Sequence, residues 1–450
     1  MLDFIKLFFM IVFYSDLPFL DIFQLLNIVA FSLLYQDSEQ NREILSEKLS
    51  SLGVVIIKLG QWLAYFLEIK FENIEFMQLF VNTLPLLQTH CKKEKNINID
   101  LLLEPYKNHV KSYEKEIYAS ASIGQIYKGK NHEDEDIVIK IKHENLDKDI
   151  SKWESFFYKL FPFLGIHVDL QSFFSSLRNQ LDFKHEANNM KIFYKKYRKN
   201  ELVKIPKYFS GDENIIIMEY VPSISFKEYK ESSNTEDLDY FIMLSRILYQ
   251  DNVFIQDIVH LDLHSGNYGL QVESKSVVLY DFGWVLQDQL DFKKFFILCH
   301  IDGKKPLEYF LQKYQLDYHQ GLSDYVKELI EKREIDILQG LKVVIKLFPK
   351  NIVLDEFMFC VLSVCIFASS LMDKLQTDLD SYLKKEIIFI DNHKEKNAFP
   401  SLGAILKYSV EHSETQTGFL SKWYQDLFDN HKKLSPVTNT TEIIRKKTIK

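Results

Sequence analysis

The sequence predicts an α+β chain, two lobes behind a helical N-terminal extension. Three observations carry this. From Leu49 to Phe66 apolar residues recur at three and four, the spacing of a helix. From Glu116 the pattern changes to alternation broken by small-residue turns, the spacing of an antiparallel sheet. From Asp237 helical spacing returns, interrupted by one polar stretch between Asp257 and Trp284.

That stretch organises the rest. It reads Asp-Ile-Val-His-Leu-Asp-Leu-His-Ser-Gly-Asn-Tyr-Gly-Leu and, after a short gap, Val-Val-Leu-Tyr-Asp-Phe-Gly-Trp. His260, Asp262 and Asn267 have the H-x-D-x-x-x-x-N spacing of a kinase catalytic loop, and Asp281-Phe282-Gly283 follows a β-branched run as a metal-binding turn should. Phosphoryl transfer needs a carboxylate near the attacking oxygen, here Asp262. It also needs an amide and a second carboxylate, here Asn267 and Asp281, to hold Mg²⁺ against the phosphates. Either half alone reads equally well as a polar loop or an ordinary turn. Both in this order, a hairpin apart, specify a kinase-type phosphate and metal site, so the two lobes are read as a protein-kinase-like fold.

Length and composition set the bounds. With 450 residues there is room for two lobes and extensions, and 46% hydrophobic with 26% charged residues supplies an ordinary core. A net charge of −8 argues against a nucleic-acid partner, whose binding needs clustered Lys and Arg. Cys91, Cys299, Cys360 and Cys365 show neither metal spacing nor a disulfide framework, which favours a reducing, intracellular compartment.

Residues 1–41 form an apolar segment. Leu2 to Tyr35 is dense in Phe, Leu and Ile, but Asp3, Lys6, Asp16, Asp21, Gln24 and Asn27 interrupt it. No window offers the ~20 mostly apolar residues of a clean transmembrane helix. The basic region and cleavage site of a signal peptide are missing. A membrane-surface helix pair and a core-packed helical hairpin both fit.

Residues 42–112 make the helical extension. Residues 42–69 read as one long helix with a single stripe of Leu49, Leu52, Val55, Ile56, Leu59, Leu63 and Phe66. Gly60 falls mid-helix in Lys58-Leu59-Gly60-Gln61. Glycine there costs about 1 kcal/mol against alanine, so a close neighbour on the backbone is expected. Glu75 to Leu87 reads as a second helix ending near Pro85, and Cys91 to Asn98 as a polar loop.

Residues 113–225 make the first lobe. Ile117 to Tyr127 reads as strand, small-residue turn and strand, followed by a charged hairpin at His132–Asp136 and an alternating strand at Ile137–Ile141. A strand ending in Val-Ile-Lys places an ammonium, Lys140, over the α- and β-phosphates of a nucleotide. Such a lysine needs a carboxylate partner. Asp182 and Glu186, four apart on one helical face, are the two candidates, after an insert that includes a helix at Trp153–Phe163. Asn214 to Pro222 reads as a buried strand running into a hinge, whose Glu219 and Val221 meet the adenine in a kinase.

Residues 226–400 make the second lobe. Asp237 to Val253 is a helix leading into the catalytic loop, and helices follow at Phe292–Ile301, Tyr325–Ile335, Asp336–Leu347 and Asp355–Leu375. Phe357 to Met372 is too short to span a bilayer and is read as a buried helix. The activation-loop apparatus of a regulated protein kinase is missing, since there is no Ala-Pro-Glu segment and no Arg-Asp in the catalytic loop. Residues 401–450 supply a C-terminal helix and a basic tail, polar and disordered from Lys432.

With these pieces in place the sequence resembles the UbiB-type, or aarF-domain, atypical kinases, in motifs from about Ser51 to Gly283. Lys58-x-Gly60-Gln61 looks like the family's signature on its N-terminal extension. Ala119-Ser120-Ala121-Ser122-Ile123-Gly124-Gln125 looks like its alanine-rich replacement for a glycine-rich loop. Leu181-Asp182-Phe183-x-x-Glu186-Ala187 looks like its helix motif, with an extra helix before it. The resemblance implies an ATPase, or a kinase of a lipid or small molecule, that uses ATP and Mg²⁺ at membranes making isoprenoid quinones such as ubiquinone. It implies that Lys58, Gly60, Gln61 and Asp182 belong to a regulatory extension folded across the site, which makes a poor protein kinase. It implies that Ala119, Ser120, Ala121 and Ser122 flank the nucleotide on a backbone stiffer than glycines would give. One departure stands out. Gln180 occupies the place of a common glutamate, and a glutamine can hydrogen-bond Lys58 but cannot neutralise it.

Two other readings remain. An aminoglycoside- or choline-type small-molecule kinase shares the His-x-Asp loop but has no use for the Lys58 helix. A pseudokinase scaffold on a membrane has no use for the complete lysine and metal set.

Overall fold

A computed structural model describes residues 12, 17–71, 77–88, 97–120, 123–144, 146–164, 167–232, 237–263, 267–287, 291–295, 304–315, 345, 353–371 and 379–411. The extension comprises α1 (Phe19–Leu34), α2 (Glu39–Ser50), α3 (Val54–Phe71) and α4 (Gln78–Thr83), the last continuing into a 3-10 turn at Leu84–Gln88. The stretch expected as one helix is therefore two. Ser51-Leu52-Gly53 turns the chain, and Gly53 has φ +109°, a conformation that strains any residue with a Cβ. Apolar periodicity continued through the break because Leu52 is buried in the same core as Leu49 and Val55.

α3 is buried on all sides rather than along one stripe, with Ile57, Trp62 and Leu67 as enclosed as Val55, Leu59 and Phe66. The neighbour expected at Gly60 is the 3-10 turn, because a Cβ there would lie 2.4 Å from Leu87 Cδ1 and 3.4 Å from Leu84 Cδ2. Pro85 sits inside that turn instead of ending a helix.

α5 (Ile99–Leu103) precedes the first sheet. The chain then runs through β1 (Ser112–Tyr113), β2 (Ala119–Ser120), β3 (Gly124–Lys130) and β4 (Asp136–Lys142), and through α6 (Leu146–Leu164), α7 (Leu170–Leu181) and α8 (Phe183–Tyr197). β5 (Val203–Lys204), β6 (Tyr208–Gly211) and β7 (Ile215–Glu219) follow. The sheet order is β1-β3-β4-β7-β6, antiparallel, with β2 paired to β3. Alternation along β4 sorts its side chains. Ile137, Ile139 and Ile141 pack with Ile215, Ile217 and α5 on one face, while Val138 joins the main core on the other. Lys140 shares the face of Val138.

The second lobe comprises β8 (Ile224–Ser225), α9 (Phe226–Glu231), α10 (Leu238–Phe254), β9 (Ile258–His260), β10 (Tyr268–Gln271), β11 (Ser276–Leu279) and β12 (Val285–Gln287). α11 (Lys304–Lys313), α12 (Glu356–Leu371), α13 (Leu379–Asn392) and α14 (Pro400–Glu411) complete it. Its strands form a sheet β5-β11-β10-β8 and a ribbon β12-β9. The helices expected at 325–335 and 336–347, the loop at 91–98, most of residues 1–16 and the tail from Lys432 lie largely outside the described residues. Among the described residues, no helix is long and apolar enough to cross a membrane.

Candidate active site

The β9–β12 ribbon explains how two motifs reach one place. His260 stands opposite Val285, Leu261 N–H donates to Trp284 O at 3.0 Å, and Tyr280 N–H donates to Asn267 O at 2.8 Å. The β10–β11 hairpin takes up the residues between, so Asp262, Asn267 and Asp281 face one cleft of about 480 Å³.

Lys140 enters the same cleft from β4. Its Nζ lies 2.7 and 2.9 Å from the two Glu186 carboxylate oxygens and 3.2 Å from Asp281 Oδ2. Lys140 and Glu186 are 2% and 1% exposed, so this is a fully desolvated pair. Burial pushes the Glu186 carboxyl up to about 7, opposed by the Lys140 charge and reinforced by Asp281. Burial also works against the Lys140 charge, but Asp281 and Glu186 outweigh it and raise the lysine's pKa. Asp281 is desolvated too, yet Lys140 and Lys58 hold it below its ordinary value.

Local capping decides which carboxylate meets Lys140. The chain bends at Asp182, which ends α7 and caps α8 by accepting the Lys184 N–H at 2.9 Å. Asp182 is exposed and does not line the cleft, while Glu186, in the first turn of α8, points into it. Asp281 has φ +46°, a strained backbone held by Gly283 N–H donating to its Oδ1 at 3.2 Å. Phe282 is locked behind it. Its carbonyl accepts the Asn189 amide at 2.9 Å, and its ring packs 5.0 Å from Phe193 and 5.8 Å from His260. Burial lowers the His260 pKa, which favours a neutral ring accepting the Asp262 N–H at Nδ1.

Lys58 and Gln61 of α3 line the cleft, while Gly60 packs on the 3-10 turn. Lys58 Nζ is 2.8 Å from Asp262 Oδ2 and 5.8 Å from the centre of the Trp284 ring. Trp284 stacks on Phe359 of α12 at 4.4 Å, and Trp62 of α3 meets the same ring at 5.4 Å, so one aromatic cluster aims the lysine. Sequence reasoning missed the Lys58–Asp262 pairing. A lone lysine in an apolar helix signals that a carboxylate is needed, without saying which. Gln180 is buried, with its Cγ 3.9 Å from where a Gly283 Cβ would be.

The other end of the cleft is the hinge. Glu219 N–H donates to Lys207 O at 2.9 Å and Tyr220 N–H to Asp136 O at 3.1 Å, and Glu219, Tyr220 and Val221 line the wall. Ala119 and Ser120 form β2 and also line it, whereas Ala121 and Ser122 lie outside the described residues. Asp281 and Asn267 offer hard oxygen donors suited to Mg²⁺. The Asn267 amide nitrogen donates to Asp262 O at 2.8 Å, which makes its amide oxygen the ligating atom. Among the described residues, no group of three or more His, Cys, Asp or Glu could hold a metal alone. The donor set therefore fits a cation that arrives with phosphate oxygens.

Two lobes meeting at a hinge, a buried lysine–glutamate pair and an Asp/Asn/Asp set on one cleft define a protein-kinase-like fold. Residues 88–302 match the family described as the ABC1 atypical kinase-like domain, and over that region the chain is similar to UbiB-type, aarF-domain proteins. It is similar to a protein of Paramecium bursaria Chlorella virus 1 that is named as an ABC transporter, with 28% identity over 284 residues covering 58% of this chain and 54% of the relative. It is similar to AarF domain-containing kinase 1 of Drosophila melanogaster, with 26% identity over 232 residues covering 45% of this chain and 43% of the relative. The chain spans about half the length of the curated relatives it matches. A solved complex of Rv3197 with erythromycin, from Mycobacterium tuberculosis, aligns over 61% of this chain and 80% of its own at 16% identity. The TM-score of that alignment is 0.40.

Proposed function

We propose that the chain binds Mg-ATP and either hydrolyses it slowly or transfers its terminal phosphoryl group to a lipid or small molecule. The observation that supports this most is the buried Lys140–Glu186 pair joined to Asp281 at the cleft. In this reading Lys140 holds the phosphates and Glu186 orients it. Asp262 orients the attacking hydroxyl or water and takes up its proton. Asn267 and Asp281 hold Mg²⁺, which when bound neutralises charge on the phosphates. Glu219 and Val221 meet the base, and Ala119, Ser120, Ala121 and Ser122 flank the nucleotide. Lys58, Gly60 and Gln61 act as the regulatory element, with Asp182 fixing the start of α8.

An intracellular membrane location and a role in isoprenoid quinone or membrane-lipid metabolism belong to the same proposal. Exposed Phe19, Leu20, Phe23 and Leu34 on α1 support contact with a lipid surface. A second reading, a membrane scaffold without turnover, draws on the Lys58–Asp262 pair, which engages the carboxylate that chemistry needs.

Phosphate release from Mg-ATP by the full chain, with and without anionic vesicles, tests the proposal. Slow turnover that falls by about 10²–10⁴ in Asp262→Asn is expected. Binding without turnover in any lipid context would favour the scaffold. Fast phosphorylation of generic proteins would contradict both readings.

A further inference from the structure

One tyrosine at the cleft has no part in the reading above. Tyr280 directly precedes Asp281, so the metal-binding turn and the bond from its N–H to Asn267 O at 2.8 Å fix its backbone. Its side chain reaches the far side of the cleft floor. A Cβ built on Gly269 would lie 2.4 Å from the Tyr280 hydroxyl and 2.5 Å from Ser223 Oγ. The space that a side chain at residue 269 would occupy is thus taken by a phenol from residue 280. The ring runs from the phosphate end, at Asp281, to Ser223 just past the hinge. Val138, on the same β4 face as Lys140, lines the same cleft. Burial keeps the phenol neutral by raising its pKa.

A planar ring entering this cleft would find both an aliphatic and an aromatic side chain to pack on. Tyr280 lines the cleft and is half-buried rather than enclosed in the core. Stacking between a base and an aromatic side chain is worth about 5- to 100-fold in affinity, and a two-ring purine offers the tyrosine more face to cover than a pyrimidine does. We infer that Tyr280 is the floor on which the nucleobase stacks, and that it makes the cleft favour purine over pyrimidine nucleotides. The inference rests on the nucleotide reading above.

The test titrates the full chain with Mg-ADP, Mg-GDP, Mg-CDP, Mg-UDP and Mg-tripolyphosphate, the last probing the phosphate end alone. Wild type should bind the purine nucleotides about tenfold more tightly than the pyrimidine ones. Tyr280→Ala should weaken the purines about tenfold, close that gap and leave tripolyphosphate unchanged. Tyr280→Phe, which keeps the ring, should stay within about twofold of wild type. Should Tyr280→Ala also lose tripolyphosphate, Tyr280→Leu keeps the bulk without the π face and takes its place. A purine preference that survives loss of the ring would overturn the inference, as would equal losses in the Phe and Ala variants. Wild type that binds tripolyphosphate but shows no base preference would also overturn it. Wild type that binds none of the five sinks the nucleotide reading itself.

Discussion

Lys58 Nζ lies 2.8 Å from Asp262 Oδ2, an ion pair between residues 204 positions apart that ties the N-terminal extension to the catalytic loop. The side chains are 5% and 14% exposed, so the pair is largely shielded from water. A buried pair adds little net stability over an apolar substitute, yet removing one partner strands the other. The same contact places an ammonium against the carboxylate proposed to meet the attacking oxygen. On the proposed function, substrate would compete with Lys58 for Asp262.

Lys58→Met should destabilise the chain by about 3 kcal/mol, because it removes the ammonium 2.8 Å from the Asp262 carboxylate in a largely buried site. Adding Asp262→Asn should recover part of that loss. Urea unfolding of both single variants and the double variant measures the coupling, expected at roughly 1–3 kcal/mol. Strict additivity would mean the contact is not energetically real.

Glu186 makes a signed prediction about pH. Its folded pKa of about 7 lies above its ordinary 4.5, so the folded state binds the proton more tightly than the unfolded chain does. Its contribution to stability is full below about pH 4.5 and is lost as pH rises to about 7. The stability difference between wild type and Glu186→Gln should therefore shrink over that window, by at most about 1.4 kcal/mol per pH unit. A difference that grows with pH would show that Lys140 holds the carboxyl low instead.

Gly60→Ala should lose about 1 kcal/mol net. Alanine gains about 1 kcal/mol of helix propensity, but overpacking costs about 1–3 kcal/mol. The new Cβ would sit 2.4 Å from Leu87 Cδ1, and Leu87 is completely buried, so its side chain cannot swing away. A denaturation midpoint above wild type would show that the 3-10 turn yields easily.

The lobes and most of the cleft were legible because they depend on spacing along short stretches. Asp262, Asn267 and Asp281 fall within one ribbon and one hairpin, so their order in the chain is nearly their arrangement in space. Lys140 follows from strand alternation. Choosing between Asp182 and Glu186 needed the bend at residue 182, where a side chain rather than periodicity breaks the helix. An Asp heading a helical run is a capping signal that could have separated them. Gly53 after Ser51 and Leu52 was a similar stop signal, masked by apolar spacing that continued across it. The partner of Lys58 was not legible, since several carboxylates could have met it and the packing of Trp62, Trp284 and Phe359 beside Lys58 joins residues far apart in the chain.

The central claim is that Asp281, beside Lys140, holds a metal that arrives with a nucleotide. Thermal unfolding of wild type and Asp281→Asn with Mg-ADP, Mg-ATP and magnesium-free nucleotide tests it most directly. Ligand at about 100 times its dissociation constant should stabilise wild type by about 2.7 kcal/mol, with a clear magnesium dependence that vanishes in Asp281→Asn. Wild type that gains nothing from Mg-nucleotide, or an Asp281→Asn chain that gains as much, would contradict the claim.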